Sequence, residues 1–131
     1  LLENPSFLNG CTGLENLKLL ADIQGGIEEK ELRDCLAKVG LDADDKRVYR
    51  KYSLGMKQKL GIAAAVMGSP DIVILDEPIN AIDEAGVEKV REILRGLKER
   101  GSVIIVACHD REELELLSDE IIKISKGGII A

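Results

Sequence analysis

Asp76, Glu77 and His109 are the side chains of this sequence best suited to phosphoryl chemistry, and each stands directly after a run of aliphatic residues. Asp76 and Glu77 follow residues 72–75, and His109 lies at the carboxyl end of residues 103–107. Ligands of an open α/β sheet collect at such strand ends. An aspartate there holds the water shell of a magnesium ion, and a neighbouring glutamate orients and polarises water for attack on a phosphoryl group. Taken alone, Asp76 and Glu77 read equally well as caps of the turn that Pro78 begins. A lone histidine is more simply a hydrogen-bonded structural residue. A third cluster, Ser53, Leu54 and Gly55, offers a hydroxyl, a glycine amide and a helix N-terminus, which suit a phosphate but also describe an ordinary serine cap.

The elements that must position these groups alternate along the chain. Thr12 and Glu15 have capping-box spacing ahead of the helical stripe Leu14, Leu17 and Leu20 or Ala21. Leu32, Cys35, Leu36 and Val39 mark a second helix over 28–39, stopped by Gly40, and Ser53 caps a third that runs to about Met67 before Gly68. Residues 72–75 form an uninterrupted aliphatic strand, the mark of a strand covered on both faces in a parallel sheet. Val87, Val90, Ile93, Leu94 and Leu97 line a long helix closed by Gly101. A buried strand over 103–107, a helix over 111–117 and a third strand over 121–124 follow, then a turn at 126–128 into a final strand. Strand, helix, strand, helix, strand is an α/β layout. The charged stretch 42–51 lacks the glycine and distal glutamate of a calcium loop and reads as a solvated linker.

Composition sets the bounds. The 131 residues, 45% hydrophobic and 32% charged, are those of one globular domain with a core. With no Trp, one Phe and two Tyr that core must be aliphatic, and the sequence is poor in stacking platforms for single strands. A net charge of -6 argues against a duplex binder, so no nucleic-acid partner is expected. Cys11, Cys35 and Cys108 are scattered and odd in number, which supports neither a disulfide framework nor a paired-cysteine metal site. No apolar run approaches the ~18 residues of a spanning helix.

Order and spacing turn separate signals into one. Tyr52, Ser53, Leu54, Gly55, Met56, Lys57 and Gln58 resemble the signature motif of ABC ATPases. At that family's usual distance, residues 71–78, containing Asp76 and Glu77, resemble Walker B with its catalytic glutamate. Asn80, Ala81, Ile82 and Asp83 match the D-loop, and Ala107, Cys108, His109 and Asp110 fall where the family has its His switch. Leu2, Glu3, Asn4 and Pro5 through Thr12 and on to Leu17 are similar to the Q-loop region. The resemblance implies a partial P-loop NTPase fold of the α/β class. Residues 1–69 would hold the Q-loop region, helical subdomain and signature helix, and residues 70–131 the Walker B to His-switch part of the core.

The same resemblance implies roles. Asp76 would hold magnesium through water, with Glu3 also at the metal; Glu77 would act on the attacking water, and His109 would contact the γ-phosphate. Ser53, Leu54, Gly55 and Met56 would meet an ATP bound by the opposite subunit, and Asp83 would lie at that dimer interface. ATP and Mg2+ are the implied cofactors. A transmembrane permease subunit and a second ATPase subunit, identical or not, are the implied partners, at the cytoplasmic face of the membrane. A coupling surface is expected between Glu3 and Tyr52.

Departures refine the expectation. Glu3 stands where the family usually has Gln, Glu84 where proline commonly follows the D-loop aspartate, and Leu54 and Met56 replace a glycine and a glutamine of the signature. The last two are similar to forms found in bacitracin-type and other drug exporters, which points to export. The sequence has no glycine-rich segment ending in Gly-Lys-Ser or Gly-Lys-Thr to cradle phosphates. The chain is therefore expected to be a C-terminal fragment, inactive alone and prone to self-association through a strand left without its neighbour. The alternatives are a soluble ABC-class ATPase of DNA repair or translation, and a non-catalytic remnant.

Overall fold

The computed structural model describes residues 7–125 and 128–130. Helix α1 (Gly13–Gln24) starts where the Thr12–Glu15 spacing puts it. The Glu15 amide donates to Thr12 Oγ1 at 3.2 Å, and the Thr12 amide donates to Glu15 Oε1 at 2.8 Å. The box satisfies two donors that a helix start otherwise leaves unpaired. Leu14, Leu17 and Ala21 are buried on the inner stripe. Beside them Asn16 is buried too, and its side chain accepts from the Leu8 amide at 2.7 Å and donates to the carbonyls of Leu8, Cys11 and Thr12. This side chain ties the entering segment to α1. Helix α2 (Glu29–Lys38) buries Leu32, Cys35 and Leu36, and Gly40 ends it at φ 85°, a left-handed exit open to glycine at little cost.

The stretch expected as a solvated linker is charged and largely exposed, with Asp44 paired to Arg33 and Asp45 to Arg47. It is nevertheless pinned. The Tyr49 and Arg50 amides donate to Cys11 and Asn9 carbonyls at 2.8 and 3.2 Å, and Tyr49–Lys51 forms one 3-10 turn. Phe7, Tyr49 and Tyr52 then meet in series as tilted ring pairs, with Lys57 over the Tyr49 ring. Tyr52 is buried, so the core is aliphatic except at this corner.

Helix α3 (Leu54–Val66) leads into strand β1 (Ile72–Asp76), helix α4 (Glu84–Glu99), strand β2 (Val103–Ala107) and helix α5 (Arg111–Leu117). Strands β1 and β2 run parallel, in register from Ile72 opposite Val103 to Asp76 opposite Ala107. Val73 and Leu75 are buried on one face, continuous with the core of α2, α3 and α4. The expectation that these strands are covered on both faces is corrected among the described residues: Ile72, Ile74, Val103 and Ile105 are each more than half exposed. Among the described residues, α3 and α4 pack against the strands on the side of Val73 and Leu75. An aliphatic run reports the chemistry of both strand faces but not which neighbours cover them.

The third strand is also corrected. Strand β3 is Lys123–Ser125 rather than 121–124, and it pairs antiparallel with β4 (Gly128–Ile130) in a sheet separate from β1 and β2. The apolar run of 121–124 cannot fix a strand boundary, because pairing partners and not hydrophobicity set where a ladder begins. The expected turn at 126–128 lies largely outside the described residues.

Candidate functional site

Because β1 and β2 are parallel and in register, their carboxyl ends lie side by side. That places the residues after Asp76 against those after Ala107. Glu77 Oε1 lies 3.3 Å from His109 Nε2, with the imidazole fully exposed and the carboxylate one third exposed. The two groups sit 32 positions apart in sequence, and only the strand pairing makes them partners.

Glu77 adopts φ 47°, in the left-handed region. For a residue with a side chain this costs about 1–2 kcal/mol, and such strain persists only where surrounding bonds hold it. Three such bonds are present. The Glu77 amide donates to the Ala107 carbonyl at 2.7 Å, while the Glu77 carbonyl accepts from the Asn80 amide at 3.2 Å and from Gln58 Nε2 at 2.9 Å. Pro78 is fully buried behind it.

Asp76 is exposed, and its carboxylate has no hydrogen-bond or ion-pair partner among the described residues. Hard carboxylate oxygen suits magnesium, which usually takes one or two protein carboxylates and completes its shell with water and phosphate oxygens. No group of three or more His, Cys, Asp or Glu able to hold a metal occurs among the described residues. Glu3, the other expected metal residue, lies outside the described residues.

The signature-like residues lie at the start of α3. Ser53 is exposed and its Oγ accepts from the Met56 amide at 3.2 Å, so it caps the helix. Leu54 next to it is 69% exposed, and Met56 packs partly against the core. A Cβ on Gly55 would lie 2.8 Å from the Ala81 carbonyl oxygen. The start of α3 therefore abuts the turn that follows Glu77, in which Ala81 is itself left-handed at φ 68°. Asp83 is exposed and caps α4, accepting from the Gly86 amide at 2.9 Å. Within the chain, then, Ser53 and Asp83 are helix caps, and neither forms a bond to Asp76, Glu77 or His109.

Residues that sequence patterning did not single out complete the frame. Glu113 is buried and paired through two oxygens to Arg91 of α4, the Nε–Oε1 contact being 2.7 Å. Its amide donates to Asp110, the α5 cap, at 3.2 Å. This bidentate pair fixes α5 and, through Asp110, the turn bearing His109. Hydrogen bonds to Glu113, then Glu88, push the Arg91 guanidinium further above its ordinary range. No periodicity distinguishes this inward carboxylate from Glu112 or Glu115. Cys108 accepts from the Asp110 amide through sulfur, and burial pushes its thiol up. Gln58 lay inside a recognised motif, but its partner became visible only with the fold.

The family model described as ABC transporter matches residues 1–80. The bacitracin transport ATP-binding protein BcrA of Enterococcus faecalis is 40% identical over 131 residues, covering 99% of this chain and 42% of that protein. The lantibiotic transport ATP-binding protein SrtF of Streptococcus pyogenes is 38% identical, covering 99% of this chain and 56% of that one. The chain thus spans about half the length of the curated relatives it matches. Among solved structures, an ATP-binding subunit of an ABC transporter superposes with a TM-score of 0.90 at 27% identity, covering 99% of this chain and 55% of the other. A dimeric post-hydrolysis ATP-binding cassette bound to ADP and phosphate gives 0.85 at 24% identity, covering 98% and 58%, a likeness of fold.

Proposed function

Since the chain belongs to the ABC transporter family, we propose that it is the signature-to-His-switch portion of an ATP-hydrolysing subunit that drives export. The observation that carries this reading is the approach of Glu77 to His109 at 3.3 Å, beside an Asp76 carboxylate with no partner among the described residues, at the carboxyl ends of two parallel strands. Bacitracin and lantibiotic transport proteins among the relatives support the export assignment.

In this reading a Glu77 carboxylate oxygen accepts a hydrogen bond from the attacking water and orients it. His109, exposed and within 3.3 Å of Glu77, reaches the terminal phosphate through its imidazole. Asp76, with Glu3, would hold magnesium, which when bound neutralises charge developing on the phosphoryl oxygens. Ser53, Leu54, Gly55 and Met56 present a helix N-terminus to the ATP of a second subunit, and Asp83 faces that subunit. Residues 1–69 act as the helical and Q-loop part, and residues 70–131 as the catalytic α/β part. Among the described residues no helix is long and apolar enough to cross a membrane. Association with the cytoplasmic face would run through a permease, for which α1 offers Leu19 and Ile23, one turn apart and outward-facing.

The test is turnover in the full-length subunit. Glu77→Gln should lower kcat at least about 100-fold, the scale of a lost general base, while ATP affinity changes less than about threefold. Turnover close to that of the unmodified protein would refute the assignment. This chain alone, whose sequence has no P-loop, should hydrolyse no ATP; turnover by the pure chain that Glu77→Gln abolishes would overturn that part.

A further inference from the structure

The hydrogen bond from Gln58 to the Glu77 backbone joins two parts of the molecule whose expected tasks are separate. Gln58 belongs to the first turns of α3, whose N-terminus carries Ser53 and Gly55. Glu77 belongs to the turn after β1. We propose that Gln58 is a positioning residue for hydrolysis, holding Glu77 in the left-handed backbone conformation that aims its carboxylate at His109 and at water. The inference rests on the reading of Glu77 as the residue that acts on water.

Glu77 at φ 47° has a lower-energy alternative in the right-handed or extended regions. Its amide is anchored on β2 by Ala107, but rotation about the next bond is limited by what holds its carbonyl. Asn80 supplies one donor at 3.2 Å, from within the same turn, and moves with it. Gln58 supplies the shorter bond, 2.9 Å, and does so from a different element. Gln58 is half-buried, so water competes weakly for its donor. A second contact keeps that element in place: the Gly55 backbone lies so close to the Ala81 carbonyl that an added Cβ would stand 2.8 Å from its oxygen and force one of them to shift. The start of α3 and the 77–81 turn are therefore clamped at two points, and a displacement of Ser53 and Gly55 is passed to Glu77.

The test uses the full-length subunit with four substitutions. Gln58→Met and Gln58→Glu keep the length of the side chain and lose the donor at neutral pH, whereas Gln58→Lys keeps a donor, on a side chain one atom longer. Each donor-less variant should lose about 5- to 20-fold in kcat, the scale of one partly buried hydrogen bond, with KM for ATP changed less than twofold. Gln58→Lys should recover at least half of the lost rate. In a Glu77→Gln background, single-turnover hydrolysis should show no further loss on adding Gln58→Met, because nothing remains to be positioned. Unchanged kcat in both donor-less variants would overturn the proposal, as would an equal loss in Gln58→Lys or an undiminished loss in the Glu77→Gln background. If Gln58→Met melts below the assay temperature, Gln58→Glu and Gln58→Lys carry the comparison. Near-normal turnover of Glu77→Gln by itself would instead sink the assignment of Glu77, a result distinguishable from failure of the Gln58 proposal.

Discussion

Replacing Gly55 by alanine sets two effects of opposite sign against each other, and the structure decides between them. Gly55 lies in the first turn of α3, where alanine is the better helix former by up to about 1 kcal/mol. In the folded molecule, however, the new Cβ would stand 2.8 Å from the Ala81 carbonyl oxygen. Carbon–oxygen contacts settle at about 3.3–3.6 Å, so helix or turn must retreat by about half an ångström. The obstacle is backbone, and it belongs to a residue already left-handed at φ 68° and followed by the Asp83 cap of α4. Overpacking of this kind costs about 1–3 kcal/mol. Taking about 2 kcal/mol as the middle of that range and a gain in propensity of up to about 1 kcal/mol, a net loss of about 1–2 kcal/mol remains, or about 2–8 °C in the Tm of the larger full-length protein. Gly96 supplies the internal control. It lies in α4 with nothing within 4 Å of its hypothetical Cβ, so Gly96→Ala should raise stability by about 0.8–1 kcal/mol. Thermal and urea unfolding of the full-length protein measure both. A Gly55→Ala protein as stable as the original would refute the contact argument, and a destabilised Gly96→Ala would undermine the control.

Leu36, 1% exposed at the centre of the core, should cost about 3 kcal/mol when cut to alanine, read from the urea midpoint at constant m-value; a loss under 1 kcal/mol would contradict its placement. Thr12→Ala removes half of the capping box and should cost about 1 kcal/mol, with Thr12→Ser largely restoring it. The open face of Ile72, Ile74, Val103 and Ile105 should make this chain, produced alone, associate as concentration rises. A constant monomer mass by light scattering at tens of micromolar would argue against it, whereas Ile105→Lys should reduce association if that face is responsible.

Much of the architecture was legible because local physics wrote it locally. Thr12 and Glu15 announce α1, Gly40 and Gly101 end helices at positive φ, and the aliphatic run 103–107 is a strand over that same span. The order of Ser53, Asp76, Glu77, Asp83 and His109 along the chain carried the family resemblance by itself. Tertiary structure alone decided who meets whom. Parallel register sets Glu77 against His109, the inward turn of one glutamate among several pairs Glu113 with Arg91, and the approach of α3 gives Gln58 its carbonyl. It also decided that one face of β1 and β2 is open among the described residues, although both faces are aliphatic. The reason is range: caps, stops and periodicity act within a few residues, whereas a hydrogen bond across 19 or 32 positions exists only once the elements carrying its ends have packed.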